Sequence, residues 1–283
     1  MRRGQTAYAG LMVPLALLFV LFLVLPFINI IVLSFYTYSP TKIWLPQLTT
    51  ANYLGLAQGG FQSVLLRTMW IALICTLVCA FFGYPLAYFL ARARAAVRAV
   101  CLFLLLTPLM VSSVIRTYGW LVILGRKGLV NNFLHVAGLN RLPLLYNDAA
   151  VIVGLANVFL PFMTLPLMAS IERISPQLEE AARNLGANWL ETARHVIIPL
   201  SGPGLISGCL LVYSAAISAF VVPALMGGAR VQVLGRRIYE LLLVSYQWPL
   251  ASAITTLLVI GSGALISVAL ICARHGSRAG VRA

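Results

Sequence analysis

The chain has 283 residues, of which 61% are hydrophobic and only 9% charged, and its 20 Lys and Arg against 6 Asp and Glu give a net charge of +14. A soluble domain is roughly 25% charged, so this composition, with a mean hydropathy of +0.96, puts the chain in a bilayer. The basic residues are spread over loops and both termini rather than gathered on one face, which excludes nucleic acid as a partner and marks them as flanks of membrane spans.

A spanning helix needs about 20 mostly apolar residues. Six segments meet that requirement, at about 10–34, 68–91, 99–124, 149–171, 202–226 and 250–273. The first follows Arg2 and Arg3, but its apolar run is longer than the core of a signal peptide, so it is expected to be a retained span. The second and third are joined by the short basic link "ARARAAVR". Within the third lies Arg116, close to Tyr118 and Trp120. An intramembrane arginine faces the protein interior or a water-filled cavity, or else snorkels to the surface; both readings stand at this point.

The fourth segment contains Pro161 and Pro166 in "LPFMTLP", and the fifth contains Pro223 in "FVVPAL". These prolines are expected to kink their helices, as gates, as substrate sites or as simple packing features. Asn29 and Asn157 are expected to join helices by hydrogen bonds. The five cysteines, Cys75, Cys79, Cys101, Cys209 and Cys272, all lie in apolar runs without a CxxC pair. His135, His195 and His275 are far apart, so no metal-ligand spacing is present and the cysteines read as small packing residues.

Between the fourth and fifth segments, residues 172–201 carry Glu172, Arg173, Glu179, Glu180, Arg183, Glu191 and Arg194. Inserting them into the bilayer would cost on the order of 20 kcal/mol, so the stretch must lie outside it. Ser175 and Pro176 form a helix start, with Glu179 and Glu180 near the positive end of the dipole. Gly186 suits the left-handed residue that closes such a helix, which is expected over 176–185. Asn188 and Glu191 form a capping box for a second helix beginning near Trp189 and stopped by Pro199. Gly202, Pro203 and Gly204 then mark the turn into the fifth span.

With the N-terminus in the cytoplasm, eleven Arg fall on the inside, Arg2, Arg3, Arg92, Arg94, Arg98, Arg173, Arg183, Arg194, Arg274, Arg278 and Arg282, against eight Lys and Arg outside. The shortest loop and both termini agree with that bias. Six spans with both termini in the cytoplasm are therefore expected, and residues 172–201 become a two-helix cytoplasmic loop. An all-α membrane protein follows.

The spacing in that loop resembles the inner-membrane subunits of binding-protein-dependent ABC importers, which carry Glu-Ala-Ala, three residues, Gly, nine residues, Ile, one residue, Leu-Pro. Glu180, Ala181, Ala182, Gly186, Val196, Ile198 and Pro199 fall on those positions, with valine and isoleucine in place of isoleucine and leucine. The segments "GYPLAYFLAR" at 83–92, "IRTYGWLVILG" at 115–125, "FLPFMTLPLMASIER" at 159–173 and "LMGGA" at 225–229 are similar to the spermidine/putrescine branch of that family.

The resemblance implies a type I ABC importer transmembrane-domain fold, with residues 1–283 forming one domain. It implies a bacterial inner-membrane protein, with a second permease subunit, an ABC ATPase dimer and a periplasmic substrate-binding protein as partners. The cargo would be a small-molecule substrate, a polyamine or a related compound. The two-helix loop would couple to the ATPase, with Glu179, Glu180, Ala181, Ala182, Gly186, Val196, Ile198 and Pro199 as the docking element.

Both lysines, Lys42 and Lys127, lie outside any Gly-Lys-Ser/Thr run, so no P-loop is present. No cofactor is expected in this chain and no enzymatic activity of its own, with ATP and magnesium held by the partner ATPase. A polycation would be met by carboxylates or aromatic faces, and Arg116, Tyr118, Trp120 and Phe162 are the candidate pathway residues. Outside the cytoplasmic loops, Asp148 and Glu240 are the available carboxylates. An ion-coupled secondary transporter is the rival reading. It would place a carboxylate in mid-membrane, and none of the six segments contains Asp or Glu.

Overall fold

The structure is a computed structural model that describes residues 14, 17–58 and 60–279, the side chains of 58, 265 and 268–279 excepted. Residues 10–13, 15 and 16 of the first expected span, Arg2, Arg3 and Arg282, and the side chains of Cys272, Arg274, His275 and Arg278 lie outside the described residues. The chain is mostly helical, and its helices follow the apolar segments, with breaks where proline intervenes.

Helix α1 (Leu17–Ser34) is long and apolar enough to cross a membrane and is almost wholly exposed. A two-stranded hairpin follows, β1 (Tyr36–Ser39) and β2 (Ile43–Leu48), antiparallel, with Ser39 opposite Ile43. It is an addition to the all-helical expectation; Pro40 and the positive φ of 67° at Ile43 turn the chain back on itself. Helix α2 (Ala51–Gln58) precedes α3 (Phe61–Arg92), the second helix long enough to span.

The third expected span is not one straight helix. Helix α4 (Ala95–Met110) ends at Val111, and the segment Ser113–Val136, opening with α5 (Ser113–Leu124) and closing with α6 (Leu129–Val136), leaves it at 99°. Pro108 in the last turn of α4 cannot donate to the carbonyl of Leu104, and Val111 and Ser112 are extended, so the helix ends there. By contrast, α7 (Asp148–Glu172) holds Pro161 and Pro166 within one continuous helix. After the charged loop comes α10 (Gly202–Ser218), which breaks at Ala219 and Phe220 before α11 (Val221–Met226). The fifth expected segment is therefore split, with Pro223 in the first turn of α11, where a missing N–H leaves no bond unmade. Helices α12 (Leu234–Leu243) and α13 (Trp248–Ala279) are the last helices among the described residues.

Two compact units are present, one of residues up to 62 together with 237–263, the other of 63–236 with 264 onward. In the first, Asn52 donates to the carbonyls of Ser34 and Tyr36 at 2.8 and 2.9 Å, and Tyr53 shares a 2.7 Å hydrogen bond with the Ser34 hydroxyl. These bonds fasten α2 to the end of α1, while Trp44 of the hairpin stacks on Trp248 at 5.5 Å between ring centroids.

In the second unit, α7 packs along α10 through small residues, the usual route to close helix approach in a membrane. A Cβ on Gly204 would lie 2.4 Å from Ser170 Cβ and 2.7 Å from the Pro166 carbonyl. Met163, fully buried, sits against both Gly208 and Gly83, its flexible thioether filling the gap. Near the N-terminal end of α3, Arg67 pairs with Asp148 at 2.7 Å and donates to the Arg230 carbonyl at 2.8 Å, and the Thr68 hydroxyl accepts from Leu234 N at 2.9 Å. Asn131, also buried, holds the loop after α5 by bonding the Gly125 carbonyl and both backbone groups of Leu142.

Gly204→Val is expected to lower the melting temperature of the purified protein in detergent by roughly 4 to 10 °C, because overpacking costs about 1–3 kcal/mol. Gly119→Ala, where a Cβ meets no atom within 4 Å and alanine favours the helix, does not lower it.

Candidate functional site

The charged loop forms the two helices that its caps dictate. Ser175 Oγ accepts from Gln177 N at 3.3 Å and Pro176 takes the first position of α8 (Pro176–Asn184). At its other end Ala187 N donates to the Ala182 carbonyl at 3.1 Å and Gly186 N to the Arg183 carbonyl at 2.9 Å, with Gly186 at φ 88°. This is the glycine-closed helix end that, with Leu185 N donating to the Ala181 carbonyl, pairs the carbonyls of Ala181, Ala182 and Arg183. The capping box is complete: Glu191 N donates to Asn188 Oδ1 at 2.9 Å and Asn188 N to Glu191 Oε2 at 2.8 Å.

Helix α9 (Trp189–Leu200) then runs through a π turn at Ala193–Ile197 and ends one residue beyond Pro199, leaving into α10 at 70°. Pro199 does not stop the helix outright, since the wider π turn removes the bond its nitrogen would otherwise break.

The expected docking residues divide between two faces. Glu180, Ala181, Gly186, Ile198 and Pro199 are exposed, and Ala182 and Val196 are half-buried. Ala182, Gly186 and Val196 border an open hollow of about 370 Å³ together with Leu185 and Thr192. Leu185 is 90% exposed, and Leu190 at 68% and Trp189 at 62% are further exposed apolar side chains of the loop.

Glu179 belongs to the opposite face and corrects the expectation that placed it beside Glu180. It is 5% exposed. Its Oε1 accepts from Arg92 Nη2 at 2.6 Å and Arg92 Nε at 3.0 Å, and its Oε2 accepts from the Tyr88 hydroxyl at 2.8 Å. A buried carboxylate is tolerated only when its oxygens are bonded and its charge is paired, so the helical phase that turns Glu180 outward turns Glu179 to α3. Arg92 Nη2 also donates to the Ile174 carbonyl at 3.0 Å, and the Tyr84 hydroxyl shares a 2.7 Å hydrogen bond with buried Ser201. Arg98 pairs with Glu172. The sequence reading missed Tyr84, Tyr88 and Ser201 and treated Arg92 only as a membrane flank. The signal was the polar tips of Tyr84, Tyr88 and Arg92 spaced four apart at the end of an apolar helix.

The four candidate pathway residues sit in separate surroundings. Arg116, beyond the 99° bend, turns its Nη1 back onto the Pro108 carbonyl, and its Nε is buried with no acceptor among the described residues. Tyr118 is exposed, Trp120 Nε1 donates to Asn157 Oδ1 at 3.4 Å, and Phe162 meets Phe159 edge-on at 6.2 Å. Among the described residues no three His, Cys, Asp or Glu side chains gather where one metal ion could be held.

The helices, the caps and the loop define a class. The chain belongs to the family of binding-protein-dependent transport system inner membrane components, whose pattern matches residues 80–275, and it is a multi-pass inner-membrane protein with a transport role. Among relatives, it is 41% identical over 251 residues to the spermidine/putrescine transport system permease protein PotB of Escherichia coli (strain K12), covering 88% of this chain and 91% of that protein. The corresponding protein of Haemophilus influenzae is 37% identical over 251 residues, 88% of each chain. Its fold is that of the type I importer permeases. A bacterial alginate ABC transporter crystallised with a periplasmic protein bound to alginate pentasaccharide has a chain that superposes with a TM-score of 0.76 at 21% identity, over 98% of this chain and 95% of that one.

Asn188→Ala removes one half of the capping box and is expected to cost about 1 kcal/mol at the start of α9. Hydrogen exchange should read this as a roughly fivefold faster exchange of the Glu191 amide, with the amides of α5 unaffected.

Proposed function

We propose that the chain is a membrane-spanning permease subunit of a polyamine importer, taking spermidine or putrescine into the cytoplasm with ATP hydrolysed by a separate subunit. The observation that carries this reading is the 41% identity to a spermidine/putrescine permease across 88% of the chain. The assembly would comprise a second permease subunit, an ATPase dimer and a periplasmic binding protein that delivers the solute. ATP and magnesium belong to the ATPase, since the sequence carries no P-loop. Both termini and the loop at 172–201 lie on the cytoplasmic side in this arrangement.

The exposed face of the loop supports the ATPase contact. Leu185, Trp189 and Leu190 are exposed apolar side chains, and Glu180, Ala181 and Gly186 are exposed as well. The carboxylates elsewhere contribute little to a polycation route. Asp148 is engaged by Arg67 and Glu240 lies 3.8 Å from Arg237. Carboxylates for a polycation would then come from the partner permease or the binding protein, with Tyr118, Trp120 and Phe162 as this chain's candidate aromatic contacts.

Vesicles holding the assembled importer are expected to accumulate labelled spermidine only with ATP inside and the loaded binding protein outside, and unlabelled putrescine should compete. Uptake by this chain alone on an ion gradient would contradict the reading. In the same vesicles Gly186→Asp, which forces a side chain into a left-handed residue at a cost of about 1–2 kcal/mol, is expected to reduce spermidine uptake at least fivefold. Undiminished uptake would separate the loop's turn from coupling.

A further inference from the structure

Tyr84, Tyr88 and Arg92 of α3 stand at intervals of four residues, so they share a stripe on one helix face that is about 12 Å long. Each reaches the charged loop. The Tyr88 hydroxyl and the Arg92 guanidinium together satisfy both oxygens of Glu179 in the first turn of α8. Arg92 takes the Ile174 carbonyl ahead of that helix as well. The Tyr84 hydroxyl takes Ser201, which is fully buried where α9 ends. One face of one helix thus holds the loop at its beginning and at its end, while the apolar rim between faces outward.

We propose that Tyr84, Tyr88 and Arg92 are positioning residues that fix the loop to α3, so that a displacement of the loop moves that helix along its length. This rests on the reading of the loop as the ATPase contact. The ion pair makes the tie stiff, because separating Arg92 from Glu179 would leave a carboxylate unpaired in a place where it is nine-tenths buried. It also has a destination. The same helix carries Arg67 and Thr68 near its other end, roughly 37 Å from Arg92 by helical rise, where they bind Asp148 at the start of α7 and the backbone at Arg230 and Leu234. Directly beside Tyr84, Gly83 receives Met163 of α7. A pull on Glu179 therefore arrives at the far ends of α3 and α7 through directly bonded groups. The loop acts on the membrane segments through α3 as well as through its chain connections to α7 and α10.

The test uses the assembled importer in vesicles with labelled spermidine, and two readouts. Arg92→Ala and Glu179→Gln are expected to raise amide exchange across residues 176–184 at least tenfold and to lower spermidine taken up per ATP hydrolysed at least fivefold. Tyr88→Phe, which keeps the ion pair and the volume, should lower the same ratio by a smaller factor. The reversed pair, Arg92→Glu with Glu179→Arg, should return both readouts to within about twofold of the wild type. Should Arg92→Ala fail to assemble, Tyr88→Phe and the reversed pair decide the question. Faster exchange with an unchanged uptake ratio would reduce the contact to a folding staple and overturn the proposal, as would unchanged exchange. If the wild-type importer takes up no spermidine, the polyamine reading fails, while the exchange readout still decides whether the stripe holds the loop.

Discussion

The bond on which the loop depends is the pair between half-buried Arg92 and buried Glu179. A chain with six carboxylates and twenty basic residues does not lack partners for an acid, yet this one is withdrawn from water and given three donors from α3. Desolvating the two charges is costly, and the return comes from close geometry and from the tyrosine that satisfies the second oxygen. What the pair gains is orientation. With Glu179 turned inward, the helical repeat turns Glu180 outward and leaves Leu185 and Trp189 beyond the helix end, open to a partner.

The remainder of this unit gives that orientation a rigid base. Glycines at 204 and 208 let α7 and α10 approach so closely that a single added carbon would collide with a neighbour, Gly83 of α3 leaves only a tight fit for one, and Met163 fills the space beside Gly83 and Gly208. Such packing moves as a body rather than yielding residue by residue. A loop fixed to it by hydrogen bonds at both ends shares that behaviour.

Much of this was legible in the sequence because local rules governed it. Ser175, Pro176, Gly186 and the Asn188 to Glu191 box each act within one helical turn, and each does in the structure what its chemistry requires. The apolar segments located the helices for the same reason. What the sequence did not disclose depended on distance or on competition between neighbours. The 99° turn after Met110 needs Pro108 and an extended Val111 and Ser112 to prevail over a continuous apolar run. The hairpin at Tyr36–Leu48 was concealed in a segment read as a connection. The partners of Glu179 lie about ninety positions upstream, beyond any periodic signal, so it was grouped with the neighbour it most resembles.

The central claim is that the loop has two faces, one bound to its own α3 and one reserved for the ATPase. Chemical labelling at Leu185 tests it most directly, since that side chain is 90% exposed and every native cysteine lies in an apolar helix segment. A membrane-impermeant maleimide added from the cytoplasmic side should label Leu185→Cys rapidly in the permease pair alone and slowly once the ATPase subunits are bound. Equal labelling rates with and without the ATPase would contradict the account.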